Sequence, residues 1–150
     1  MATMIRGSVT PRLLALSLAM LLAACGATTG PDVASAVAGT WTYTGTEEAP
    51  DPATLSGTLS LHGVSGADGA FEGTFTILEQ APTGTATPLA GTTAGNVISD
   101  SIADFDLIVG TVARRHIGVL RGDSISGSWA SMDGGTNESG KFTMRRSGTS

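Results

Sequence analysis

Basic residues are missing from most of this sequence: no Lys or Arg stands between Arg12 and Arg114. The same stretch carries ten acids from Asp32 to Asp106. Phosphate binding needs clustered bases, so a nucleic-acid partner is disfavoured. Cysteine is nearly absent too. Cys25 is the single one, which excludes a disulfide, a zinc cluster or a thiol nucleophile from everything after it. The two histidines, His62 and His116, are far apart and form no HxH or HExxH pattern. There is no Gly-x-Ser-x-Gly elbow before a helix, no phosphate loop and no paired-carboxylate signature. These absences point away from an enzyme and imply no cofactor or metal.

What is present begins with an apolar run. Leu13 to Ala24 is almost unbroken Leu, Ala and Met, preceded by Arg6 and Arg12. It is shorter than the roughly 20 residues a transmembrane helix needs. It has the charged, apolar and small-residue parts of an export signal, and Met1 or Met4 would serve as its start. The closing Leu22-Ala23-Ala24-Cys25 resembles a bacterial lipobox. That resemblance implies a signal-peptide helix over 1–24, removed on export, and an acylated Cys25 as the first mature residue. The implied partner is then the membrane, reached through palmitate on Cys25. Gly26 rather than Asp follows the cysteine; the same resemblance then implies the outer membrane in a host with two. Residues 25–37 read as the lipidated cysteine and a flexible tether. The stretch from Gly26 to Ala36 is small and polar, contains Pro31, and would reach about 20 Å as a random chain.

From residue 38 to 147 the pattern has period two. Leu55, Gly57, Leu59 and Leu61 alternate with polar residues, as do Phe71, Gly73, Phe75 and Ile77. Ile125, Gly127 and Trp129, then Phe142 and Met144, repeat the pattern. Such alternation predicts half-buried antiparallel strands. The spacing gives strands over Gly39–Thr44, Thr54–Val64, Ala70–Gln80, Thr87–Thr93, Val97–Ser101, Asp104–Val109, Arg114–Arg121, Ser124–Ser131 and Gly140–Arg146. Two central short runs would make one bent strand if joined, leaving eight. Asp68-Gly69, Gly95-Asn96, Gly122-Asp123 and Asp133-Gly134-Gly135 suit tight turns. Glu47 to Pro52 and Ala81 to Pro88 read as longer loops broken by proline.

Gly39-Thr40-Trp41, Gly57-Thr58-Leu59, Gly73-Thr74-Phe75, Gly127-Ser128-Trp129 and Gly140-Lys141-Phe142 share one form: glycine, a small or polar residue, a large apolar one. Glycines on the buried face let strands coil round a narrow barrel. The expected fold is all-β, a small antiparallel up-and-down meander barrel of about eight strands. Gly39-Thr40-Trp41, the Asp68-Gly69 hairpin with Gly73-Thr74-Phe75, and the Ser124–Trp129 and Gly140–Phe142 pair resemble the avidin and lipocalin group of barrels. The resemblance implies architecture more than activity. Phe75, Ile77, Ile125 and Phe142 stand where that group places the hydroxyls and indoles that hold biotin, so biotin binding does not carry over.

The expected function is a non-enzymatic, lipid-anchored envelope barrel that binds a small apolar ligand or an envelope component. Trp41, Phe75, Phe105 and Trp129 are the candidate lining, although each also reads as plain core. The alternative is a protein-interaction or inhibitor module working through its two long loops. His62 falls on the solvent face. His116 depends on strand phase: Gly118 pointing inward would bring it inside, whereas burying Ile117 and Val119 leaves it in water. The second phase is preferred because it buries more apolar area. Pairing of either histidine with Asp104 or Asp106 would make a metal or acid–base site. Arg114-Arg115 reads as a solvated strand end, and Arg121-Gly122-Asp123 as a hairpin turn rather than an adhesion signal.

Overall fold

A computed structural model describes residues 33–65, 69–99, 101–132 and 137–148. The expected signal-peptide helix, Cys25, most of the tether, and the Asp133-Gly134-Gly135 turn lie outside the described residues.

Eight antiparallel strands follow one another round a closed barrel. They are β1 (Gly39–Ala49), β2 (Ala53–Gly63), β3 (Ala70–Gln80), β4 (Thr87–Ile98), β5 (Ile102–Val109), β6 (Val112–Arg121), β7 (Ser124–Ser131) and β8 (Ser139–Arg146). Each pairs with its chain neighbour, and β8 closes on β1 from Trp41↔Arg146 to Glu47↔Gly140, with a register shift before Ala49↔Ser139. Closure leaves no open sheet edge to pair with another chain.

The period-two pattern sets which face is buried. In β3, Phe71, Phe75 and Ile77 are buried while Glu72, Thr74 and Thr76 are exposed. All seven aromatic residues of the chain, Trp41, Tyr43, Phe71, Phe75, Phe105, Trp129 and Phe142, are buried. They are joined by Leu55, Leu59, Leu61, Ile77, Leu107, Ile125 and Met144 in one core cluster. The inward glycines let the barrel be this narrow. A side chain at Gly73 would run into the Ser60 carbonyl, and one at Gly127 into the Ile117 carbonyl, each on a neighbouring strand.

Thr87–Thr93 and the start of the Val97–Ser101 run join in a single strand, β4, which ends at Ile98, the alternative that leaves eight strands. Two sequence expectations change. Gly95-Asn96 is not a turn: Gly95 pairs with Phe71 on one side and Phe105 on the other. Its missing side chain makes room for the Phe105 Cβ. The reversal comes later, where Ser99 takes a left-handed φ of 53°. Finally, β1 runs through Glu47 to Ala49, so the first long loop shrinks to the residues between Ala49 and Ala53. The Gly122-Asp123 turn forms as expected, with Gly122 at a φ of 56°.

The two ends of the barrel differ. Residues 33–37, expected within the tether, reach the end where β1 starts and β8 stops. Val33–Ala36 forms one 3-10 turn, and Val37 behind it is buried. The Val37 carbonyl accepts the Trp41 indole N–H at 2.8 Å. Above the Trp41 ring lies the Arg146 guanidinium, 4.6 Å from its centroid. Arg146 also donates to the Ala36 and Ala38 carbonyls and pairs with Asp123 at 2.9 Å. One side chain thus ties the entering segment, the β6–β7 turn and β8 into a plug. We call this the closed end. The other end, where β1 meets β2 and β3 meets β4, is the open end.

Candidate ligand-binding site

The plug fills one half of the lumen, so any pocket must sit in the other. It does: Tyr43, Leu55, Phe75, Ile77, Leu89, Leu107, Val109, Val112, Arg114, His116 and Trp129 surround a narrow space of about 20 Å³, room for little more than one water molecule until a side chain moves. Seven strands contribute, because inward positions near the open end alternate along each. The walls are almost wholly hydrocarbon, and most of the lumen below them is already packed with side chains.

The floor is polar. Tyr43 Oη and His116 Nε2 are 3.0 Å apart, and His116 Nδ1 lies 2.8 Å from the Arg114 carbonyl. A carbonyl only accepts, so Nδ1 carries the proton and Nε2 accepts from the tyrosine hydroxyl. Rings enclose the imidazole: Phe105 stacks on it at 4.9 Å, and Phe142 meets it edge-on at 4.9 Å. Burial pushes the His116 pKa down to about 4, opposed by the hydrogen bond to the Arg114 carbonyl. Burial likewise raises the Tyr43 pKa well above its ordinary value. At neutral pH both groups are uncharged. With both imidazole nitrogens committed inside the fold, this is a packed pair and not an acid–base catalyst.

This placement of His116 corrects the preferred strand phase. His116 is 1% exposed, whereas Ile117 is 49% and Val119 42% exposed. Two things offset the lost aliphatic burial. Gly118, in phase with His116, leaves space that the Phe142 and Ile125 side chains occupy. The imidazole meanwhile satisfies both nitrogens and stacks among aromatic rings. Gly118 was the available signal, since it shares the inward phase of the other strand glycines.

Arg114 is inward by the same phase and stands at the mouth. Its guanidinium lies 5.0 Å from the Trp129 ring centroid and pairs with Glu79 and Glu138, both at 2.8 Å. Arg115 points outward and holds Asp104 by two hydrogen bonds of 2.9 and 2.6 Å. That bonding pulls the Asp104 carboxyl below its usual range. Sequence reasoning thus missed Arg114 as a lumen residue, because two adjacent arginines look alike until strand phase is fixed.

Of the four candidate lining residues, Phe75 and Trp129 face the pocket. Trp41 belongs to the plug, and Phe105 packs between Phe71, His116 and Phe142. All four are buried. Phe75, Ile77, Ile125 and Phe142 are buried too and supply no hydrogen-bonding group from their side chains. The histidines do not meet the aspartates: His62 is exposed and contacts Glu72 at 3.2 Å. Among the described residues, no group of three or more His, Cys, Asp and Glu could hold a metal ion.

No family model matches the sequence, and no curated relative was found for it. The fold does have solved counterparts. A redesigned β-barrel, mFAP1, bound to DFHBI superposes with a TM-score of 0.63 at 17% identity, covering 77% of this chain and 99% of that one. EF1p2_mFAP2b bound to DFHBI gives 0.62 at 14% identity, covering 77% and 98%. A fluorescence-activating β-barrel designed de novo gives 0.57 at 19% identity, again covering 77% and 98%. At these identities the likeness is one of fold.

The membrane-anchored, outer-membrane location expected from the first residues is corrected by these findings. The fold's counterparts are designed barrels, and no helix among the described residues is long and apolar enough to cross a membrane.

Proposed function

We propose that this chain is a non-enzymatic binding barrel that takes a small, largely apolar ligand through its open end. The observation that carries the reading is the asymmetry of the lumen. One end is sealed by Val37, Trp41 and Arg146, while the other keeps a hydrocarbon-walled pocket with a polar floor. Apolar walls with a few fixed polar groups are the usual build of small-molecule sites. Eight-stranded barrels either fill with side chains or hold one small ligand, and two barrels of this fold are bound to DFHBI. Because the pocket is narrow, entry involves displacement of the Arg114 side chain or of half-buried Leu89. The mode resembles that of the lipocalin and avidin group, without its biotin contacts.

Calorimetry with propylbenzene tests the reading. Binding is expected, and Leu89→Trp, which adds bulk at the mouth, should weaken it at least about tenfold. Absence of binding, or binding indifferent to Leu89→Trp, would overturn the proposal and leave the open-end loops as the working surface. Acylation of Cys25 is a separate proposal about that residue's chemistry, made from the Leu22-Ala23-Ala24-Cys25 motif. Loss of palmitate label in Cys25→Ser would support it, and unchanged label would contradict it. The binding reading does not depend on it.

A further inference from the structure

The polar floor of the pocket has a direction. The Arg114 carbonyl fixes the His116 proton on Nδ1 across 2.8 Å, so Nε2 takes the hydrogen of the Tyr43 hydroxyl across 3.0 Å. Tyr43 Oη is left with a lone pair and no proton to give. The other donors among the lining residues are engaged elsewhere. The Trp129 indole N–H goes to the Thr46 carbonyl at 3.2 Å. Each guanidinium nitrogen of Arg114 reaches Glu79 or Glu138, at 2.8 to 3.0 Å. Next above Tyr43 on the inward face of β1 stands Gly45, and a Cβ there would come to 3.1 Å from Oη. Its missing side chain leaves that oxygen uncovered toward the open end.

We infer that the ligand is a small hydroxyl compound, an alcohol or phenol on an apolar body, whose O–H is donated to Tyr43 Oη, with His116 as the residue that fixes this preference. The inference rests on the proposed binding in the lumen and adds the ligand's chemical class. The apolar body would lie against Leu55, Ile77, Leu89 and Leu107 once the mouth has opened. A carbonyl or ether group would instead bring its lone pairs against that of Oη. It would lose its water partners and find no donor, and a buried acceptor without a partner is costly. His116 is a positioning residue: it acts through Tyr43 by deciding which way the hydroxyl hydrogen points. Turned the other way, the same hydroxyl would donate, and ketones would gain on alcohols.

Cyclohexanol and cyclohexanone have nearly one shape, and both are uncharged. Calorimetry on the protein at pH 7 should find the alcohol bound at least about fivefold tighter than the ketone, the scale of one buried hydrogen bond. His116→Phe releases the Tyr43 proton toward the ligand and should bring the two to similar affinity. Imidazole nitrogen chemical shifts of the unsubstituted protein check the premise without a variant: Nδ1 should be protonated and Nε2 an acceptor. The opposite tautomer overturns the inference. So does a ketone bound as tightly as the alcohol, or an alcohol preference that survives in His116→Phe. If propylbenzene binds and neither cyclohexyl compound does, the inference falls and the lumen reading stands. If none of the three binds, the lumen reading falls, and the inference with it.

Discussion

The two ends of this barrel are built from the same strands yet solve opposite problems. At the closed end a tryptophan, a valine and an arginine form a seal in which the polar groups have partners. The Trp41 N–H reaches Val37, and Arg146 serves two carbonyls and Asp123. At the open end the corresponding tryptophan, Trp129, bonds the Thr46 carbonyl at a longer 3.2 Å. Its arginine, Arg114, is shared between two carboxylates, Glu79 and Glu138. An arginine stacked on an indole recurs at both ends. The comparison teaches that this motif seals only when a segment of chain lies beneath it to accept its remaining N–H groups.

Truncating the indoles should break the comparison most visibly. Trp41→Ala removes the centre of the plug, and large-to-small changes of buried aromatics cost about 3–5 kcal/mol. Denaturant melts should show that loss, with Trp129→Ala costing less because its ring already borders open space. Equal costs would mean that the two ends are packed alike.

Acid should weaken the boundary between the halves. His116 has a pKa of about 4 in the fold against an ordinary 6.5. Below pH 6.5 the unfolded chain takes up a proton that the folded chain refuses, so stability falls as pH drops from about 6.5 toward 4. A shift of this size corresponds to about 3 kcal/mol at the bottom of that window. Tm measured against pH should show the slope, and His116→Phe should remove most of it. A slope unchanged in His116→Phe would place the titrating group elsewhere.

Tyr43→Phe sharpens the same point with a smaller effect. It deletes the hydroxyl that His116 Nε2 accepts from, and a buried acceptor without a partner costs about 1–3 kcal/mol. Denaturant melts at neutral pH should detect that loss; an unaltered midpoint would imply that water replaces the hydroxyl. Smallest of all, Thr58→Ala and Ser128→Ala on the outer face should each change stability by well under about 1 kcal/mol. A large cost at either would invert the strand phase at that position.

Much of this was legible in the sequence because one rule, the two-residue alternation, applies to every strand. It placed Leu59, Phe75, Trp129 and Phe142 inside and Thr58 and Ser128 outside, as the structure does. The in-phase glycines carried the closure of the barrel. The rule failed where hydrophobicity and glycine phase disagreed, in β6, since Ile117 and Val119 outweigh His116 on any apolar scale. What settles that strand is nonlocal: the Tyr43 hydroxyl, 73 positions away in the chain, and the rings of Phe105 and Phe142. The mouth was illegible for the same reason. Glu79, Arg114 and Glu138 come from three separate stretches of chain, and their spacing carries no pattern until the barrel closes.

The central claim is that the open half of the lumen receives a ligand and the closed half does not. Methyl chemical-shift mapping during titration with propylbenzene tests it most directly. The account predicts shifts at Leu55, Ile77, Leu89, Leu107, Val109 and Val112, which wall the open end, with Val37, Leu61 and Val97 unmoved. Shifts centred on those last three residues, or on the exposed Ile98, Ile102, Ile117 and Val119 of the outer surface, would contradict it.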